Sequence, residues 1–119
     1  MADCSNYDND MNAFMYQIYA IDVTDWTNLW LYYAVLYDTE LGYDYLLVHY
    51  SWDRLNWIPL EYHEGYLGGW EYPACPITKS GNTLYLRFQF YSDYTQTGYG
   101  VYLDDIEVTG DPIPKPNLF

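Results

Sequence analysis

The stretch "TLYLRFQFYSD" (83–93) alternates almost without a break. Leu84, Leu86, Phe88 and Phe90 fall on one side of an extended chain, and Tyr85, Arg87, Gln89 and Tyr91 fall on the other. Successive side chains of a strand point to opposite faces, so this period of two makes a strand with one buried face. Such a strand is not stable alone. It needs neighbours at its edges and a second layer over its apolar side.

The rest of the chain offers those partners. "FMYQIYAI" (14–21), "NLWLYYAVLYD" (28–38), "DYLLVHYSW" (44–52), "WIPLEY" (57–62) and "YGVYLDDIEV" (99–108) read as strands. The second of these is apolar on both faces, which predicts a central position. "DVTDWT", "TELGY", "DRLN" and "YTQTG" read as corners and turns, and 63–82 as a loop-rich stretch punctuated by Gly and Pro. Strands divided by turns, with no long amphipathic helix and no internal repeat, predict an all-β antiparallel sandwich or barrel. At 119 residues the chain is one domain. We assign residues 1–110 to the sandwich and 111–119, "DPIPKPNLF", to a Pro-spaced extended tail.

Charge narrows the function classes. The net charge is −13, and Arg54, Lys79, Arg87 and Lys115 are the only basic side chains apart from two histidines. Nucleic acid and anionic membrane surfaces demand the opposite sign. No apolar run approaches a membrane span. Seventeen tyrosines and five tryptophans fit two readings: ordinary β-rich composition, or an adhesive face, since tyrosine joins an apolar body to a polar tip.

No catalytic motif stands out. His49 reads as a strand residue and His63 as a loop residue, and "EYHE" lacks the zinc-protease spacing. "GYLGGW" is not a phosphate loop, and Ser51 and Ser92 lack a nucleophile elbow. Acidic pairs abound, but nothing singles one out as a glycosidase pair. The expectation is a protein that is not an enzyme. Cys4 and Cys75 are either reduced core thiols or one disulfide from the N-terminus to a late loop. An extracellular chain favours the disulfide. No signal peptide is legible, and an exported chain would have lost it.

In "YGVYLDDIEV", Tyr102, Asp104, Ile106 and Val108 share one face by parity. That face reads as the inward one, so Asp104 is expected to point into the sandwich or its rim. A buried carboxylate must find donors or a cation. Trp26, Trp52 and Trp70 read as an exposed platform for stacking on sugars, while Trp30 and Trp57 read as core.

The run "AIDVTDWTNLWLYYAVLYDTELGYDYLLVHYSWDRLNWIPL", followed by "LRF", "SD" and "GVYLDDIEV", resembles a MAM-like domain. This is the jelly-roll sandwich also found in immune-inhibitor-A-type secreted metallopeptidases and bacterial surface proteins. The likeness covers about residues 18–109. Two departures stand out. "SWDRLNW" lacks the usual glycines, and the chain lacks the "F-E-x-G" start that brings further N-terminal strands.

The resemblance implies a jelly-roll short of an edge strand, open to completion by a strand from a neighbouring subunit. It also implies a structural cation near the Glu40/Asp44 turn and the Asp-Asp strand. Oxygen ligands from Glu40, Asp44 and Asp104, with Asp93 nearby, suit Ca²⁺. The functional expectation is an extracellular or cell-surface structural or adhesive module that assembles with itself, through strand or tail exchange, into an oligomer or filament. Leu118 and Phe119 would form the apolar plug at the end of the tail. The alternative is a carbohydrate-binding accessory module of a larger secreted enzyme.

Overall fold

A computed structural model describes residues 14–38, 45–65, 68–91 and 100–116. Among these described residues seven strands form two antiparallel sheets packed face to face as a β-sandwich. They are β1 (Phe14–Asp22), β2 (Trp26–Asp38), β3 (Tyr45–Ser51), β4 (Ile58–Glu64), β5 (Ala74–Ile77), β6 (Thr83–Tyr91) and β7 (Gly100–Pro112). One sheet has the order β1-β6-β3-β4 and the other β5-β2-β7. The described residues contain no helix.

The alternation of β6 is realised in full. Leu84, Leu86, Phe88 and Phe90 are buried, and the residues between them are half-buried on the outer face. β2 is the centre of its sheet, as its apolar faces predicted. Its Leu29, Leu31, Tyr33 and Val35 point into the core. They meet Leu46, Val48 and Tyr50 of β3 and the apolar face of β6. Full burial of each such side chain contributes about 1.5–3 kcal/mol.

Most of the other strands fall within two residues of their expected bounds. β7 runs four residues beyond its predicted end, to Pro112, and the predicted loop 63–82 contains β5. Pro73 and Pro76 disguise β5, yet among the described strands it is an edge bonded only to β2, where a missing N–H is tolerated.

Side-chain hydrogen bonds set the corners. In the "IDVT" corner the Asp22 carboxylate accepts the Thr24 N–H at 2.9 Å and its hydroxyl at 2.6 Å. In the "SWDRLN" turn Asp53 Oδ1 accepts the N–H groups of Leu55 and Asn56, each at 2.8 Å. Arg54 takes φ 64° there. The missing glycines are thus replaced by a carboxylate-capped turn.

Two bulges reshape the β2–β7 pair. Asn28 (φ 51°) marks the first, in β2, between the Thr27–Asp111 and Trp30–Thr109 pairs. Asp105 (φ 53°) marks the second, in β7, between Tyr32–Glu107 and Ala34–Asp104. An inserted residue breaks the two-residue period, so it moves the buried set to the other parity. Val101 and Leu103 face the core before the second bulge, and Ile106 and Val108 pack against it afterwards.

This corrects the expected placement of Asp104. Parity counted through an unbroken strand put Asp104 on the inner face with Ile106. The bulge puts it outside, exposed, beside exposed Asp105. Trp30 and Trp57 also differ from expectation. Trp30 is half-buried and stacks on Tyr32, at 6.4 Å between centroids, on the outer face of its sheet. Half-buried Trp57 lies under the Arg87 guanidinium, 4.2 Å from ring centroid to Cζ. Tyr62, Tyr45 and Tyr91 stack across β4, β3 and β6 at 5.4 and 5.3 Å.

Candidate functional site

The outward turn of Asp104 and Asp105 creates a cleft of about 100 Å³ on the outer face of the three-stranded sheet. Ala34, Trp70, Tyr72, Asp104 and Asp105 line it. Ala34, 3% exposed, interrupts a strand of large side chains and leaves room above itself. Trp70 and Tyr72 remain 45% and 71% exposed.

These two rings are held by the residue between them. Glu71 exchanges both backbone hydrogen bonds with Val35 at 2.9 Å. Its carboxylate meets His63 Nδ1 at 3.4 Å. Successive side chains of an extended segment alternate, so with the Glu71 carboxylate turned to His63 its neighbours Trp70 and Tyr72 face the cleft. His63 is 4% exposed, on β4 rather than in a loop, and its Nε2 lies 2.8 Å from Tyr33 Oη. Nε2 and the Tyr33 hydroxyl share a hydrogen bond whose direction follows the tautomer, and Nδ1 faces the Glu71 carboxylate. Burial holds the His63 pKa below its usual value, against the pull of Glu71 and Glu61. Burial raises Tyr33 far above the ordinary tyrosine range. The Tyr33–His63–Glu71 chain therefore joins the two sheets and fixes the wall of the cleft. Tyr33 is sealed in the core at 2% exposure, where no substrate reaches it.

A second opening lies at the other end of the β2–β7 pair. Ile21, Asp22, Val23, Trp26, Leu29, Val108, Thr109 and Gly110 surround a groove of about 400 Å³ between the sheets. Its floor includes buried Val23 and Leu29, and Trp26 stands at its mouth, 43% exposed. Gly110 permits the close approach here: a Cβ would meet Leu29 Cδ2 at 2.9 Å and the Thr27 carbonyl at 3.0 Å.

The expected platform of Trp26, Trp52 and Trp70 is not assembled. Trp26 belongs to the groove and Trp70 to the outer cleft. Trp52 packs against the core, edge-on to Tyr50, and covers Gly81. Of the expected cation ligands, Asp104 is placed, while Glu40, Asp44 and Asp93 lie outside the described residues. No three His, Cys, Asp or Glu side chains converge as a metal site among the described residues. Cys75 is a buried thiol, its Sγ 3.8 Å from Glu61 Oε1. Burial and Glu61 push its pKa up to about 11, so it stays protonated at neutral pH. Cys4, Leu118 and Phe119 also lie outside the described residues, so only one end of the expected disulfide is placed.

No family model matches this chain, and no curated protein does.

Proposed function

We propose that this chain is a non-catalytic, extracellular structural or adhesive module, a MAM-like jelly-roll that assembles with copies of itself. The observation that carries the reading is the groove between β1, β2 and β7. Its floor reaches buried Val23 and Leu29, and its apolar walls suit an apolar segment of a neighbouring chain. The edge strand next to it adds support. Among the described strands β1 bonds only to β6, and from Phe14 to Ile21 it carries no charged residue. Unguarded edges of this kind accept an added strand. β7, the other long edge, carries a bulge and the charges of Asp104, Asp105, Glu107 and Asp111, the usual defences against pairing. The carbohydrate-binding alternative draws on Trp70 and Tyr72, without the wider platform.

Sedimentation of the 119-residue chain and its Ala20→Lys variant tests this reading. Ala20 is exposed on β1, so the substitution adds a charge to the edge at little cost to folding. The wild type is expected to self-associate and the variant to do so less. A wild type that stays monomeric at every concentration overturns assembly. Association untouched by Ala20→Lys overturns the role of β1.

A further inference from the structure

Four lysine and arginine side chains serve the whole chain, and three are occupied within their own fold. Lys79 Nζ donates to the carbonyls of Trp26, Val23 and Thr24 at 2.6, 2.8 and 3.3 Å. Arg87 covers Trp57, and the Arg54 guanidinium lies 5.7 Å from the Tyr85 centroid. Lys115 alone is exposed with no partner among the described residues. It follows β7 between Pro114 and Pro116, whose fixed φ keeps the main chain extended and the side chain outward.

The outer cleft is the complementary feature. Asp104 and Asp105 have no basic partner among the described residues, and two exposed rings stand beside them. An ammonium group satisfies both parts. It forms charge-assisted hydrogen bonds to the carboxylates and is attracted to the ring faces.

Lys115 cannot reach the cleft of its own chain. Trp26 pairs with Pro112 at one end of the ladder, and Ala34 pairs with Asp104 well along it. The eight residues from Asp104 to Pro112 span roughly 26 Å at the usual rise. The three residues from Pro112 to Lys115 extend at most about 11 Å. They also leave the ladder beside Asp25, whose carbonyl accepts the Ile113 N–H at 2.8 Å.

We propose that Lys115 of one copy docks between Trp70, Tyr72 and the Asp104–Asp105 pair of the next. This rests on the self-assembly reading and names one of its contacts. The donor and acceptor surfaces differ and lie well apart along the sheet. We take the contact as head to tail, which repeats as an open chain where its rotation does not close.

The test is zero-length carbodiimide cross-linking of an equal mixture of ¹⁴N- and ¹⁵N-labelled chains, followed by sedimentation of charge variants. Lys115 should link to Asp104 or Asp105 in peptides of mixed isotope. Lys115→Glu alone and Asp105→Lys alone should each weaken association, and mixing the two should restore it. Trp70→Ala, which leaves the bulge intact, should weaken it as well. Oligomers that persist in every variant, without the cross-link, overturn this docking and leave assembly standing. Cross-links confined to single chains overturn it too. A chain that is monomeric throughout overturns both.

Discussion

The Asp104 carboxylate accepts the backbone N–H of Asp105 at 2.8 Å, and this bond sits at the turning point of β7. On one side of it the odd-numbered residues face the core, and on the other side the even-numbered ones do. The two aspartates are therefore a bulge. Asp105 supplies the left-handed residue, and Asp104 satisfies the N–H that the ladder leaves unpaired. The same geometry carries both carboxylates to the outer cleft, so one local feature closes the core and creates a surface site.

Asp105 at φ 53° bears a conformational cost that glycine does not. Asp105→Gly should leave stability unchanged or raise it by up to about 1 kcal/mol, and Asp105→Val should lower it by about 1–2 kcal/mol or more. Urea unfolding of the two variants measures the difference.

Side chains on either side of the bulge should respond unequally. Leu103, 2% exposed, should cost about 2–5 kcal/mol when changed to Ala. Exposed Glu107 should stay within about 0.5 kcal/mol. Equal effects at both would contradict the assigned faces.

His63 makes the fold acid-sensitive. Its folded pKa lies below the unfolded value of 6.5. Below that value the unfolded chain binds more protons than the folded one. The stability is thus fully present above pH 6.5 and is lost as pH falls through the depressed folded pKa. His49, held down by burial and Arg87, acts in the same direction. His63→Gln should flatten the loss of stability between about pH 7 and 5, leaving the slope due to His49. Thermal melts of both proteins across that range check it.

Lys79 ties the "VTDW" corner to the segment after β5 through its three carbonyls. Lys79→Met keeps the aliphatic stem and removes the charge-assisted bonds. A loss of about 1–3 kcal/mol is expected by chemical denaturation.

The sandwich was legible because burial follows period. The alternation of Leu84 to Phe90 and the two apolar faces of β2 specify a half-buried strand and a central one. The inserted residue at Asp105 was not legible from the alternation, since apolar residues flank the two aspartates on both parities. Counting on by twos then carried Asp104 to the wrong face. β5 was hidden by prolines that only an edge position tolerates. His63 read as a loop residue because its partners, Tyr33 and Glu71, come from distant or irregular segments. The cleft escaped for the same reason: Ala34, Trp70 and Asp104 meet only after three separate segments pair. The adjoining "DD" was the one signal that could have raised the bulge, since aspartate tolerates positive φ better than most residues.

Electron microscopy of the 119-residue chain, with light scattering on the same sample, tests the central claim of self-assembly most directly. The account predicts elongated particles that lengthen with concentration, and a scattering mass that rises with them. A uniform field of monomer-sized particles, with a mass fixed at one chain across the concentration range, would contradict it.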